Sequence, residues 1–147
     1  MATRRRQPAR RPRSKPRKKN SGVLSPPSED LARRILTEVR WEERIEGYFE
    51  APMRGRLREF IFKFQDAANL LRVDVSDPWS TRSGIFGYFE FNELQAWVHD
   101  VFGDTELAAA IGEIIAADKS LKERIEGIKS LMEHRLRQCE EALGKNA

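Results

Sequence analysis

The chain has 147 residues and a net charge of +4, a size typical of one domain with room for a tail. Residues 1–20 carry ten Lys and Arg and no acid, so this segment is +10 and the remaining chain is −6. The single cysteine, Cys139, excludes an internal disulfide framework. No apolar run approaches the roughly 20 residues of a membrane-spanning helix, so the sequence predicts a soluble protein in a reducing compartment.

Residues 1–27 are predicted to be a disordered basic tail. A proline recurs every four residues, basic side chains fill the gaps, and no large apolar side chain precedes Val23. Because like charges repel and nothing offsets the ordering entropy, the segment has no reason to fold alone. The folded domain is therefore predicted to span 28–147.

The first helix is predicted to begin at Ser28, a residue whose hydroxyl can accept a backbone N–H at the helix start. Leu31, Ile35 and Val39 then recur at helical spacing. We expect this helix to end around Gly47.

Residues 57–71 place seven apolar side chains at three- and four-residue steps, a pattern that predicts an amphipathic helix. The alternative is a pair of strands marked by Phe60, Phe62, Phe64, Val73 and Val75. We favour the helix because its match is longer. Residues 74–87 contain Pro, Gly and Ser without a period and are predicted to form a loop.

Three further helices are predicted in the C-terminal half. The first begins at a capping box of Asn92 and Gln95 and ends at Gly103. Asp104 caps the second, and Ser120 opens the third, which runs for about six turns.

The predicted fold class is therefore mainly α, a single small domain of about five helices. Two short strings recur, GYFE at 47–50 and 87–90 and ERIEG at 43–47 and 123–127. The residues around them do not match at those offsets, so we interpret the recurrence as chance. The large core side chains are expected to be Trp41, Phe60, Phe64, Trp97 and Phe102.

The sequence predicts no catalytic site, metal site or cofactor, and the protein is not expected to be an enzyme. His134 and Cys139 are five apart on a predicted helix and do not share a face, while the side chains of His99 and Asp100, as neighbours on a helix, are expected to diverge. Both histidines are expected to be partly exposed and Cys139 to be buried. Trp79, in the predicted loop, is either folded over the core or offered to a partner, and we favour the first.

Residues 86–143 resemble a family of small uncharacterised prokaryotic helical domains. The resemblance rests on the run FNELQAWVHDVFGDTELAAAI and the amphipathic segment LKERIEGIKSLMEHRL that follows it. Tyr88–Phe91 stands where family members have a His-containing stretch. The resemblance implies a compact helical interaction module and no catalytic residues. The matching positions are Asn92, Glu93, Leu94, Trp97, Val98, Val101, Gly103, Asp104, Leu107, Ala108 and Ile111.

Residues 11–18, RPRSKPRK, resemble an AT-hook, a motif that lays an extended basic chain in a narrow A·T minor groove. The resemblance implies that Arg13 and Lys15 enter the groove between two flanking prolines. Ser14 replaces the central glycine and Lys15 replaces an arginine, which predicts weaker and less A·T-selective binding. A generic polycation is the alternative. The candidate DNA-binding residues are Arg4, Arg5, Arg6, Arg10, Arg11, Pro12, Arg13, Lys15, Pro16, Arg17, Lys18 and Lys19.

These features predict a non-enzymatic DNA-associated protein, cytoplasmic, or nucleoid-associated if the source is prokaryotic. Its tail would bind duplex DNA by releasing counterions, and its acidic helical domain would bind a protein partner or a second copy. One alternative is an RNA- or ribosome-associated factor that uses the same tail. Another is a protein-interaction adaptor whose tail only aids targeting or solubility. No membrane partner is expected.

Overall fold

A computed structural model describes residues 24–51, 54–74 and 85–144 of the chain. Within these residues five α-helices accompany four strands in one antiparallel sheet, so the prediction of a mainly helical domain is wrong and the class is mixed α and β. In chain order the elements are α1 (Glu29–Leu36), a 3-10 turn (Trp41–Glu43), β1 (Ile45–Ala51), β2 (Gly55–Ile61), α2 (Phe64–Leu70), β3 (Arg72–Asp74), β4 (Ile85–Phe89), α3 (Phe91–Asp100), α4 (Thr105–Ala116) and α5 (Leu121–Ala142).

Helix α1 begins as predicted, because the Ser28 hydroxyl accepts an N–H from the first turn at 3.1 Å. It ends at Leu36 and does not continue to Gly47. The chain becomes extended there, and the Val39 N–H donates to the Phe62 carbonyl at 2.8 Å. This long-range bond brings the chain to the sheet, and local periodicity gives no sign of it.

The four strands of the described sheet lie in the order β2-β1-β4-β3, and β2 is one of its edges. Ile45 pairs with Ile61 and Ala51 with Gly55, so β1 and β2 form a regular hairpin. The helix predicted over 57–71 is therefore wrong in its first half, although its second half is α2. Pairing with β1 outweighs the helical spacing of the apolar residues in β2.

The two GYFE strings lie on neighbouring strands and pair with each other. Tyr48 is opposite Tyr88, and their ring centroids are 5.8 Å apart. A Cβ on Gly87 would lie 1.9 Å from the Leu70 carbonyl oxygen, and a Cβ on Gly47 would lie 2.7 Å from the Leu70 side chain. The repeated glycine therefore allows α2 to pack closely on the middle of the sheet.

Helices α4 and α5 begin where the sequence predicts. The Asp104 carboxylate accepts the Leu107 N–H at 3.1 Å, and Ser120 and Glu123 form a reciprocal capping box. Gly103 precedes α4 with a φ of +75°, a backbone conformation that favours glycine.

Helix α3 begins differently from the prediction. Its first residue is Phe91, and its N-cap side chain makes no capping hydrogen bond, so the proposed box of Asn92 and Gln95 is wrong. The Gln95 amide donates instead to the Ala108 carbonyl at 3.0 Å and joins α3 to α4. The Gln95 side chain, which the local pattern assigned to a helix cap, thus forms a tertiary hydrogen bond instead.

The core includes three of the five large side chains expected there. Trp97 and Phe64 both pack edge-on against Phe102, with centroid distances of 4.8 and 5.5 Å. Trp41 and Phe60 are 57% and 45% exposed, so their assignment to the core is wrong. Both lie at the β2 edge of the sheet. The prediction treated this part of the chain as helical, so it contained no sheet edge on which these side chains could be exposed.

Candidate functional site

The described residues begin at Leu24, and Leu24 and Ser25 are both fixed to the body. Leu24 is buried, and its carbonyl accepts an N–H from Gln138 at 2.7 Å. The Ser25 N–H donates to the Glu106 carboxylate at 3.0 Å, and the Ser25 carbonyl accepts from Arg135 at 2.7 Å. The segment that leads out of residues 1–20 therefore has a defined origin between α4 and α5.

Arg135 is the centre of this attachment and is only 1% exposed. Its Nε and Nη2 donate to the two oxygens of Asp104 at 2.8 and 3.0 Å, and Nη2 also donates to Glu106 at 3.1 Å. Gln138 accepts from Nη1 at 2.9 Å. We call these four side chains the Arg135 clamp.

The clamp also sets the charge state of Glu106. Partial burial acts to raise the pKa of this carboxyl, but hydrogen bonds from Ser25 and Arg135 outweigh it and hold the pKa below its ordinary value. The ionised carboxylate is therefore the form that attaches the chain at Ser25.

A second distinctive surface lies at the β2 edge of the sheet. Within the described residues, the large apolar side chains that are exposed are Trp41, Leu57, Phe60 and Leu121, and the first three belong to this edge or flank it. Residues 54–63 contain four basic side chains and one acid, although the chain after residue 20 is −6. We call Trp41, Arg44, Arg56, Arg58 and Phe60 the arginine–aromatic strip.

Arg44 organises the aromatic part of the strip. Its guanidinium carbon lies 3.9 Å from the Trp41 ring centroid and 4.6 Å from that of Phe60. Its Nη1 donates to the Trp41 carbonyl at 2.9 Å, and the two rings meet edge to face at 5.6 Å. The rings are thereby held in place while much of their surface remains open to solvent.

The strip continues across the face of the sheet opposite α2. Arg56 lies over Tyr48, with 4.2 Å between the guanidinium carbon and the ring centroid. Tyr48 in turn packs on Tyr88, whose hydroxyl donates to Glu50. Burial, together with the bond to Glu50, raises the pKa of Tyr88 to about 12.

An open groove of about 660 Å³ separates this edge from α3. Arg44, Arg58 and Phe60 line one wall together with the carboxylate of Glu46, and Glu93 and Asp100 line the other. The groove therefore combines cations and a ring with acceptor-only carboxylates across a space large enough for a small ligand.

Arg58 is partly neutralised at the groove, because it forms an ion pair with Glu46 at 3.2 Å. Trp97 closes the floor, and its indole N–H donates to the Glu43 carbonyl at 2.6 Å. The hydrogen bond joins the 3-10 turn that contains Trp41 to α3.

The histidines and the cysteine do not form a site with each other. His99 Nδ1 and Asp100 are hydrogen-bonded at 2.9 Å, so the expectation that these neighbours diverge is wrong: both are exposed where α3 ends and their side chains can bend together. His134 is partly buried in α5. Cys139 is buried as predicted, and burial raises its pKa to about 11. Among the described residues no cluster of three or more His, Cys, Asp and Glu side chains could hold a metal ion.

Trp79 and all the DNA-binding residues predicted from the sequence lie outside the described residues. The predicted DNA-binding residues are Arg4, Arg5, Arg6, Arg10, Arg11, Pro12, Arg13, Lys15, Pro16, Arg17, Lys18 and Lys19.

Sequence reasoning missed both the clamp and the strip, although each left a signal. Arg135 falls seven residues after Ile128, on the apolar stripe of α5, where a charge needs a buried partner. The run RLR over 56–58 places an apolar side chain between two cations, and charged side chains of this kind are typical of an edge strand.

No protein-family model, curated protein or solved structure matches this chain. Within the described residues no helix is long and apolar enough to cross a membrane. The resemblances to a family of helical domains and to an AT-hook therefore stay predictions.

Proposed function

We propose that this protein is a non-enzymatic DNA-associated protein in which residues 1–20, here named the basic arm, bind duplex DNA. The supporting observation is the division of charge into +10 on the arm and −6 on the remainder, with the chain fixed to the body just after the arm at Leu24 and Ser25. A body of net negative charge is repelled by the phosphates of a duplex, so the arm is the part that contacts duplex DNA.

The physical basis of binding is counterion release. Each phosphate that a Lys or Arg neutralises adds about 0.9 to the slope of log affinity against log salt on duplex DNA. An arm with ten cations therefore gives binding that is strong at low salt and falls steeply as salt rises.

Selectivity, in this proposal, comes from Arg13 and Lys15. The AT-hook resemblance assigns them to the minor groove, where a narrow A·T tract concentrates negative potential. A preference for A·T-rich over G·C-rich duplex follows, weakened because Ser14 crowds the groove floor.

The decisive experiment removes residues 1–20 and measures binding to A·T-rich duplex, G·C-rich duplex and structured RNA across a salt series. The intact chain is expected to bind duplex with a steep salt slope, and the deletion is expected to abolish it. If the deletion leaves every affinity unchanged, the proposal fails. Much tighter binding of RNA than of either duplex would replace DNA by RNA as the ligand.

A matched pair of variants tests the groove assignment. Arg13→Ala with Lys15→Ala and Arg4→Ala with Arg5→Ala each remove two charges from the arm. Both pairs should lower the salt slope equally, but only the first should lower the ratio of A·T to G·C affinity. Equal ratios in the two variants would mean that the arm is a generic polycation.

A further inference from the structure

We propose that the arginine–aromatic strip and its groove bind unpaired bases of single-stranded nucleic acid. This inference goes beyond the proposed function, since it assigns a different ligand to residues of the folded body and does not need the arm.

Stacking is the first argument. Trp41 is 57% exposed and Phe60 45%, and Arg44 holds both rings in a fixed arrangement. Bases stack on aromatic rings and on guanidinium planes whatever their sequence, because every base has a π-face. A duplex offers no such face along its length, so the exposed rings select unpaired bases over paired ones.

Charge is the second argument. Arg56, Arg58 and Phe60 alternate along β2, so the two cations and the ring lie on one face of the sheet. Glu46 and Glu50 of β1 lie opposite Phe60 and Arg56 on this face, so the three arginines of the strip outnumber its two neighbouring carboxylates by one. A phosphodiester backbone that follows β2 would meet these arginines while its bases reach the rings.

The carboxylates of the groove are the third argument, because they give the strand an orientation. Glu93 and Asp100 on α3 repel phosphate but can accept hydrogen bonds from the amino groups of bases. Phosphates are thus directed to the β2 side, and base edges to the α3 side.

An added β-strand is a poorer occupant for this edge. Glu59 pairs with Gly47 in register and so lies on the face that packs against α2. Glu59 is exposed, as is most of β2, and charged side chains along an exposed edge strand oppose the addition of another strand. The arginines and aromatic rings of the strip therefore favour single-stranded nucleic acid over an added peptide strand.

The test uses the full chain with short DNA and RNA single strands that carry 2-aminopurine, a base whose fluorescence is quenched by stacking, and with the matching duplexes. Wild type is expected to quench the single strands. Trp41→Ala with Phe60→Ala should remove the quenching and weaken single-strand binding by at least about five-fold, the loss expected for one stacked base. Duplex affinity, which reports the arm, should stay within two-fold.

Leu121→Ala is the matched control, because Leu121 is a similarly exposed apolar side chain that lies at the start of α5. It should leave both quenching and affinity unchanged, and thermal unfolding of each variant verifies that it is folded. Single strands that are not quenched by wild type, or that bind the double variant as tightly as wild type, would overturn the inference. That result is independent of the arm deletion, which tests duplex binding.

One further variant separates stacking from charge. Arg58→Gln should lower the salt slope on single strands by at most about 0.7 without removing the quenching, because it removes one cation that Glu46 already neutralises in part. Unequal affinities for the DNA and RNA strands would show that the strip contacts the sugar. Loss of quenching in Arg58→Gln would contradict the division of roles between the arginines and the rings.

Discussion

Arg135 and Arg44 occupy two contrasting environments in one small domain. The guanidinium of Arg135 is 1% exposed and donates five hydrogen bonds among the described residues, to Asp104, Glu106, Gln138 and Ser25. Arg44 instead lies over rings that remain half open to solvent. All five N–H groups of Arg135 donate within the fold. Arg44 instead holds two aromatic rings whose exposed surfaces a ligand could contact.

The largest expected effect is a loss of stability when the buried Arg135 is replaced. Arg135→Ala leaves Asp104 buried without its cation, and breaking a buried ion pair in this way costs about 3–5 kcal/mol of unfolding free energy. Urea denaturation measures the loss. Arg137→Ala, on an exposed position of the same helix, is the control and should change stability by less than about 0.5 kcal/mol. Similar losses in both variants would contradict the clamp.

The next prediction compares two tryptophans that the sequence assigned to the same core. Trp97 is 5% exposed and its replacement by Ala should cost about 3 kcal/mol or more. Trp41 is 57% exposed, so Trp41→Ala should cost about 1 kcal/mol or less. Both are measured by urea denaturation at one pH. A large loss from Trp41→Ala would mean that the strip is a structural cluster, and it would remove the case for a binding surface there.

The contrast between the two regions also explains which parts of the fold the sequence could predict. Ser28, Asp104 and Ser120 cap helices as expected, because a cap is a contact between residues three apart. The buried stripe of α5 is likewise a local pattern, with Ile128 and Cys139 both buried.

The sheet could not be predicted in the same way. Phe60 and Phe64 are four residues apart and fit one helical face, yet one lies on an exposed strand and the other begins α2 in the core. What separates them is the pairing of β1 with β2, in which Phe60 pairs with Glu46, a separation that three- and four-residue periodicity does not report. The strip is a consequence of that pairing, so the sequence of β2 could indicate an edge strand but not that Phe60 would meet Trp41 and Arg44.

The candidate residues of the arm, unlike those of the strip, are known from the sequence and not from the structure. Arg13 and Lys15 are assigned from the order of their neighbours alone, and they lie outside the described residues. The clamp adds the position from which the arm starts, since Ser25 is bound on both its N–H and its carbonyl. Sequence thus supplies the chemistry of the arm, and structure supplies its origin.

The smallest expected effect concerns that origin and depends on pH. The folded-state pKa of Glu106 is lowered below its ordinary value, with the hydrogen bonds from Ser25 and Arg135 exceeding the opposing effect of burial. A carboxyl with a lowered folded pKa stabilises the fold above its unfolded pKa, near 4.5, and this contribution is lost as pH falls through the folded pKa. Because the Glu106 side chain is 43% exposed, the contribution at pH 7 should be less than about 1 kcal/mol.

Glu106→Gln removes the charge, so the stability difference between wild type and this variant should be present at pH 7 and should shrink as pH falls below about 4.5. Urea denaturation across pH gives the difference, and amide exchange at Ser25 should quicken in the variant because its acceptor is weaker. Glu141→Gln, an exposed carboxyl of α5, is the control and should leave stability at pH 7 within about 0.5 kcal/mol of wild type. A difference that stays constant down to pH 3, with unchanged exchange at Ser25, would mean that the chain is attached by Arg135 and Gln138 without help from Glu106.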